Sequence, residues 1–267
     1  VLNEAPAPGP AATAFGLVAP PVTDVAARAS ALLWPAVDTT RGEGEAGLPG
    51  ITSPSGLHVF VSADPGEADD WHTDFVATDA ATPDDGWLGL DHLDVAVSAD
   101  QLNEELSFFR TLFGLRPASV EEYIQPEGRL RIRALSAEQG DLRIALTVSD
   151  GGSGVQQQGI TQMAFATGNV VDAVRRISSR GVELLVPPDN YYADLDARFA
   201  LDSDLLGMLR EHNLLYDRND TGELLHTYIL PVEGGLQVEI LERRGGYEGY
   251  GSANTHVRLA AQTFRRQ

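Results

Sequence analysis

Residues 90–97 read Leu-Asp-His-Leu-Asp-Val-Ala-Val, and the rest of the sequence is best interpreted outward from them. Apolar residues alternate with His92, Asp94 and Ala96, which is the pattern of a half-buried β-strand. If the Leu/Val face packs on helices, His92 points to the other face of the sheet. In a curled sheet that face encloses a cavity, where a buried histidine either satisfies a hydrogen bond or holds a metal.

The composition excludes several classes of protein. The chain has 267 residues, of which 43% are hydrophobic, and no cysteine, so disulfides and thiolate metal sites are excluded. No apolar run approaches the roughly 18 residues that span a bilayer, and no signal peptide is visible. The net charge is −20 and all 19 basic residues are arginine. We therefore expect a cytoplasmic protein with neither nucleic acid nor a membrane as partner.

A strand, a helix and three further strands recur in the same order along the chain. The complete rounds are predicted at residues 87–148 and 159–242, the second with a strand at Val182–Val186 and a helical insertion at Pro187–His212. One βαβββ unit cannot bury both faces of its sheet. The sequence therefore predicts an α+β fold of repeated βαβββ modules, with curled mixed sheets and helices outside.

The predicted modules suggest three domains. Residues 1–62 would be an incomplete N-terminal half, residues 63–86 a linker rich in Asp, Ala, Pro and Gly, and residues 87–267 a C-terminal metal-binding domain that ends in a helix over 253–265. The opening Val1–Glu4 reads as the end of a strand without a start methionine. We therefore expect this sequence to be a piece of a longer polypeptide.

Three further polar residues are predicted to share the cavity with His92. Gln162 takes the place of His92 in the first strand of the later round, Glu239 alternates with apolar residues in the last strand, and His226 lies on its neighbour. Imidazole nitrogen, amide oxygen and carboxylate are all ligands for a hard or borderline divalent cation. The sequence predicts that His92, Gln162 and Glu239 hold such a metal.

Each of these residues also has an interpretation without a metal. Gln162 could hydrogen-bond a backbone group. Glu239 has the weakest alternative, because burying a carboxylate without a cation or an arginine is costly. His226 could contact a metal ligand, contact a substrate or replace a ligand.

The order of several segments resembles that of 4-hydroxyphenylpyruvate dioxygenases, in the vicinal oxygen chelate superfamily. The segments are Asp91–His92, Gly159–Gln162, Pro188–Tyr192, Leu214–Asp217 and the strand of Glu239. The resemblance implies iron on two His and one Glu, at the positions of His92, Gln162 and Glu239. The second His is Gln162 here, and the substrate-facing Gln of the family is His226. Because an amide is a weaker ligand than imidazole, we expect Mg2+ or Mn2+, with Fe2+ as the alternative.

A closer resemblance is to the C-terminal region of bacterial fused 3-dehydroshikimate dehydratases. It is carried by Asn213–Arg218, Glu223–His226, Gly249–Asn254 and Val257–Gln262. In that family a metal-dependent TIM-barrel lyase converts 3-dehydroshikimate to protocatechuate in quinate and shikimate catabolism, and a dioxygenase-like region follows it. The resemblance implies that this chain is that region, with the N-terminal barrel of the same polypeptide as its partner.

The role implied for such a region is structural, in assembly, or in binding a small aromatic or 2-oxo acid, in a chain expected to form homo-oligomers. The residues that would face the substrate or contact a metal ligand are His226, Tyr228, Tyr250 and Asn254. Two other functions stay open. One is an active Fe(II) oxygenase acting on 4-hydroxyphenylpyruvate. The other is a metal-free binding or scaffolding module in which His92 and Glu239 are hydrogen-bonded to each other.

Overall fold

A computed structural model describes residues 12–19, 21–38, 42, 44–67, 70–76, 85–125, 128–138, 140–150, 159–230 and 236–264. The prediction for Val1–Glu4 lies outside these ranges. Within them the helices are α1 (Val22–Ala31), α2 (Leu102–Phe113), α3 (Val170–Ser179), α4 (Asp189–Phe199), α5 (Ser203–Glu211) and α6 (Thr255–Phe264). The strands are β1 (Ala14–Val18), β2 (Gly50–Thr52), β3 (His58–Ser62), β4 (Trp87–Ala96), β5 (Arg116–Gln125), β6 (Gly128–Ser136), β7 (Arg143–Asp150), β8 (Gly159–Thr167), β9 (Leu215–Arg218), β10 (Gly222–Ile229) and β11 (Gln237–Gly245). The mixture of helices and strands confirms the predicted α+β class.

The chain divides into two compact units. The first, called the site unit, takes Asp84–Leu93 and Gln162–Gln267, and the second unit takes Ala11–Pro83 and Asp94–Thr161. Strands β4 and β8 contribute residues to both units. The three domains predicted from the order of the modules, with boundaries at residues 62 and 86, stay a prediction.

The strands of the site unit form a mixed arrangement in the order β4-β8-β11-β10-β9. Strand β11 pairs in parallel with β8, and β10 pairs antiparallel with both β11 and β9. The register sets Gln162 opposite Gln237 and Tyr228 opposite Glu239. Because side chains alternate between faces, this register decides which polar residues of neighbouring strands can meet.

Helices cover one face of these strands with an apolar core. Helices α4 and α5 lie within the predicted helical insertion, which they confirm. Asn169 caps α3 by accepting the N–H of Asp172, and Asp202 caps α5 by accepting the N–H of Asp204. The buried core contains Val170, Ala173, Val174, Leu184, Leu185, Tyr191, Tyr192, Leu195, Leu209, Leu214, Leu215, Tyr216, Leu225, Tyr228, Ile240, Val257 and Ala261.

The prediction of a strand at Val182–Val186 is wrong. The segment meets β10 only as an isolated bridge between Leu184 and Ile229, with the N–H of Leu185 donating to the carbonyl of Tyr228 at 2.8 Å. Two prolines follow directly at 187 and 188, and neither carries an N–H that could continue the ladder. The pairing therefore ends after one bridge.

The second unit contains two groups of strands. One has the order β5-β6-β7-β4, and the other has the order β1-β3-β2 with β1 parallel to β3. Helix α2 ends where Gly114 adopts the left-handed conformation at φ 66°. Within the predicted linker, Trp71–Asp74 forms a 3-10 helix whose N-terminus is capped by the side chain of Asp70. Among the described helices, none has the length and apolar character needed to cross a bilayer.

Candidate metal centre

Four strands of the site unit bring the four predicted polar residues together. Gln162 Nε2 donates to Glu239 Oε2 at 2.6 Å and lies 3.5 Å from His92 Nε2. His92 Nε2 is also 3.5 Å from Glu239 Oε2. On the other side, His226 Nδ1 donates to Glu239 Oε1 at 2.5 Å. All four residues are buried, with Gln162 the most exposed at 8%. The structure therefore brings these side chains together, and their role as ligands stays a prediction.

The ring of His92 is held in one orientation by a buried ion pair. Its Nδ1 lies 2.8 Å from Asp91 Oδ1, and Asp91 accepts two hydrogen bonds from Arg243, at 2.7 and 2.8 Å. Burial acts to raise the pKa of Asp91, but the hydrogen bonds from Arg243 and His92 outweigh it and hold that pKa well below its usual range. Asp91 is therefore a carboxylate that accepts the Nδ1 proton. The ring then directs Nε2 toward Gln162 and Glu239, as metal-binding histidines paired with carboxylates do.

Arg243 also fixes the segment that lies against the cluster. Its Nη1 donates to the carbonyls of Tyr247 and Gly249 at 3.1 and 2.7 Å. The ring of Tyr250 stands nearly perpendicular to that of His92, with centroids 5.0 Å apart. The next residue, Gly251, has φ 62°, and a Cβ there would lie 2.7 Å from a ring carbon of His226. Only glycine combines this conformation with so close an approach.

Glu239 is completely buried, yet both of its oxygens accept hydrogen bonds. Burial acts to raise its pKa, while the hydrogen bond from His226 is the largest of the effects that lower it, and the net result is a lowered pKa. The sequence alone suggested that burial would be costly without a cation or an arginine. The donors of Gln162 and His226 offset part of that cost. Gln162 therefore bonds a side chain rather than the backbone group considered from the sequence.

His226 connects Glu239 to a buried chain of hydrogen bonds. Its Nε2 accepts from Asn254 Nδ2 at 3.0 Å, and Asn254 Oδ1 accepts from the hydroxyl of Tyr191 at 3.0 Å. The Tyr191 hydroxyl in turn accepts the backbone N–H of Tyr216 at 2.8 Å. Burial raises the pKa of Tyr191, so its hydroxyl stays protonated. Among the three roles considered for His226, this geometry corresponds to contact with a candidate ligand.

The aromatic residues named from the sequence lie around this chain. The Tyr228 ring centroid is 5.6 Å from that of His226, and the guanidinium of Arg258 lies 5.3 Å above the Tyr228 ring. Tyr228 and Tyr250 are both buried, at 5% and 8% exposure. They therefore border the cluster, and their role in facing a ligand or contacting a metal ligand stays a prediction.

Sequence reasoning missed three residues of this site: Asp91, Arg243 and Tyr191. In the sequence Asp91 stands out only as the neighbour of His92. Arg243 follows Glu239 by four residues in β11, so the two-residue period of a strand puts both on one face. The sequence therefore contains a signal that puts Arg243 on the face of Glu239. Tyr191 lies in a segment that carried the family resemblance, but nothing in the sequence indicated that it bonds Asn254.

The donor set fits a divalent cation. In the described ranges, no three His, Cys, Asp or Glu side chains come together as a metal-binding group. In this cluster the third candidate ligand is the side-chain amide of Gln162. The fit rests on the contact between His92 Nε2 and Glu239 Oε2, since a neutral imidazole lone pair and a carboxylate oxygen are both acceptors. A group that carries positive charge is favourable between them. One carboxylate with an imidazole and an amide suits an oxygen-preferring cation.

Comparison with known proteins identifies a family model that matches one stretch of the chain. Residues 89–205 match the Glyoxalase/Bleomycin resistance protein/Dioxygenase superfamily. The chain contains a vicinal oxygen chelate domain. This finding confirms the predicted resemblance to the vicinal oxygen chelate superfamily. It also confirms the predicted fold, in which βαβββ modules form mixed sheets with helices.

Relatives of the vicinal oxygen chelate domain have two kinds of names. A 3-dehydroshikimate dehydratase of Pseudomonas putida is 35% identical over 238 residues, which cover 84% of this chain and 37% of that protein. A 4-hydroxyphenylpyruvate dioxygenase of Pseudomonas aeruginosa is 28% identical over 262 residues, covering 92% and 72%. The chain thus spans about a third of the length of the dehydratases it matches.

Two solved structures have a fold similar to that of this chain. A xylose isomerase-like TIM barrel/4-hydroxyphenylpyruvate dioxygenase fusion protein superimposes with a TM-score of 0.81 at 31% identity, covering 96% of this chain and 42% of the fusion. A mutant 4-hydroxymandelate synthase from Streptomyces coelicolor reaches a TM-score of 0.77 at 21% identity, covering 95% and 77%. The second likeness supports the fold alone.

Proposed function

We propose that this chain is the dioxygenase-like region of a fused 3-dehydroshikimate dehydratase, and that it holds Mg2+ or Mn2+ on His92, Gln162 and Glu239. The observation that carries the proposal is the approach of His92 Nε2, the Gln162 amide and Glu239 Oε2 to within 2.6–3.5 Å of one another. Asp91 and Arg243 orient the imidazole, and His226 holds the other carboxylate oxygen.

In this proposal the dehydration belongs to a TIM-barrel domain of the same polypeptide. The support is that similar proteins are 3-dehydroshikimate dehydratases and a barrel/dioxygenase fusion, each much longer than this chain. A cation bound here would supply positive charge for the oxygen atoms of a small acid. Tyr228 and Tyr250 border the cluster and offer aromatic surface for an aromatic or 2-oxo acid. The proposed role is structural, in assembly, or in binding such an acid.

Calorimetry with Mg2+ and Mn2+ tests the metal. We expect one cation per chain, and we expect His92→Ala and Glu239→Gln each to weaken binding at least about tenfold, because each removes one of few ligands. His212→Ala is the matched control, since that histidine contacts Arg175 and lies outside the cluster. Absence of stoichiometric binding to the wild-type protein would contradict the proposal and favour the metal-free module.

Two activity measurements separate the remaining functions. The purified chain should form no protocatechuate from 3-dehydroshikimate, and formation of protocatechuate would show that the chemistry lies in these residues. Iron-loaded chain should consume no oxygen with 4-hydroxyphenylpyruvate, because Gln162 replaces an imidazole of the two-His, one-carboxylate set. Oxygen uptake by the wild-type chain would favour the oxygenase, and uptake only in Gln162→His would identify the amide as the cause of inactivity.

A further inference from the structure

Two hydrogen-bond acceptors face each other at the centre of the cluster. Asp91 takes the Nδ1 proton of His92, so a neutral ring has only a lone pair at Nε2. That lone pair lies 3.5 Å from Glu239 Oε2. With a neutral ring neither atom donates to the other, and both residues are shielded from water, with His92 3% and Glu239 0% exposed. In that form the pair is favourable only with a donor or a cation between them.

The amide of Gln162 provides that donor. Its Nε2 is 2.6 Å from Glu239 Oε2 and 3.5 Å from His92 Nε2, so its two protons serve one acceptor each. The opposite orientation of the amide would turn its carbonyl oxygen toward the carboxylate, which is repulsive without a cation. The physical chemistry of the site therefore favours the NH2 group facing inward, independently of how the amide atoms are assigned.

We infer that the side chain of Gln162 changes its orientation when a cation binds. In the metal-free protein its NH2 group lies where the cation would bind and bridges His92 and Glu239. When Mg2+ or Mn2+ binds, the amide turns and presents its oxygen to the cation. The inference rests on the proposed metal function and adds a conformational step to it. Cation binding must displace the hydrogen bonds of the amide. Gln162 therefore lowers the affinity of the site and sets its preference for cations that accept oxygen ligands.

Side-chain amide signals in the NMR spectrum of 15N-labelled protein follow this step. The Gln162 pair is assigned by its absence from Gln162→Glu. In the metal-free protein we expect its protons to exchange slowly with solvent. On addition of MgCl2 they should shift and exchange about tenfold faster, because the bond to Glu239 is lost. The control is the amide of Gln101, which donates to the Pro54 carbonyl at 2.9 Å in the second unit and should not respond.

Thermal unfolding of Gln162→Glu supplies an independent measurement. The variant keeps an oxygen at this position but sets a second carboxyl group against Glu239 with no NH2 between them. We expect a lower Tm than wild type without metal, and a larger rise in Tm on adding MgCl2. The control variant Gln101→Glu also loses a hydrogen bond, but its Tm should change equally with and without Mg2+.

The outcomes separate the inference from the proposed function. If calorimetry detects no Mg2+ binding to the wild-type chain, the proposed metal site is wrong and the turning of Gln162 falls with it. If Mg2+ binds while the Gln162 protons stay protected, the metal site stands and the turning is refuted. A metal-free Gln162→Glu protein as stable as wild type also refutes the bridging role. If the variant does not fold, the Gln162 amide signals are assigned by their through-space contacts with the His92 ring, and the wild-type protein still decides the question.

Discussion

Two neighbouring tyrosines of α4 should respond in opposite ways to the same change. Tyr191 and Tyr192 are both buried, at 4% and 2% exposure. The Tyr191 hydroxyl accepts the N–H of Tyr216 and donates to Asn254 Oδ1, whereas the Tyr192 hydroxyl is buried without a hydrogen-bond partner. Replacing either tyrosine by phenylalanine removes one oxygen and leaves the ring. The pair therefore isolates the energetic effect of the hydrogen bonds.

The structure sets the size of each effect. Tyr191→Phe leaves a buried backbone N–H and a buried amide oxygen without partners, and each such group costs about 1–3 kcal/mol. We expect a loss of about 2–4 kcal/mol in the free energy of unfolding. Tyr192→Phe removes a hydroxyl that was desolvated without compensation, so the free energy of unfolding should stay unchanged or rise by about 1–2 kcal/mol.

Urea unfolding followed by circular dichroism measures both variants. The comparison is valid when the dependence of the free energy on urea concentration is the same for both proteins and the wild type. A Tyr192→Phe protein destabilised as much as Tyr191→Phe would refute the reasoning, because the loss would then come from the rings or the helix. An unaffected Tyr191→Phe would show that the chain from Tyr191 to His226 contributes no stability.

Two further predictions concern a buried carboxyl group and a tight turn. Burial raises the pKa of Glu105 against the bonds it accepts from Ser53 and Ser55. Its contribution to stability is thus complete below the ordinary carboxyl pKa and is lost as the pH rises through the raised value. Once the pH is above that raised value, Glu105→Gln should therefore be about 1–3 kcal/mol more stable than wild type, as measured by urea unfolding across pH. The exposed control Glu104→Gln should show no such gain. Gly251→Ala should lose about 1–3 kcal/mol at its φ of 62° in thermal unfolding, while Gly207→Ala, in open space on α5, should gain up to about 1 kcal/mol.

The repeated module order was enough to predict which distant residues meet. Gln162 was placed by its equivalence to His92, and Glu239 and His226 by the alternation of side chains along their strands. These two rules are geometric consequences of strand pairing, so they hold over long separations in the sequence. The same rules predicted the polar cluster but could not say which atoms bond to which.

The residues that orient the site could not be predicted with the same certainty. Asp91 and Arg243 are 152 positions apart, and their pairing depends on side-chain rotamers and on the path of the chain after β11. The role of Tyr191 depends on how α4 packs beside the segment that carries Asn254. The Val182–Val186 segment has the composition of a strand, but the two prolines that follow limit its pairing. Tertiary context overrides local preference in each case.

The two departures from the dioxygenase pattern, Gln162 and His226, meet at the same carboxylate. Gln162 donates to one oxygen of Glu239 and His226 to the other. A buried carboxylate needs positive charge or hydrogen-bond donors on both oxygens, and these two side chains supply a donor to each. The two side chains therefore act on the same group: with glutamine at position 226 the bond from an imidazole to Oε1 would be absent, and with histidine at position 162 the bond from an amide to Oε2 would be absent. Together they give each oxygen of Glu239 a donor, and a cation must displace the donor of Gln162 before it can reach Oε2.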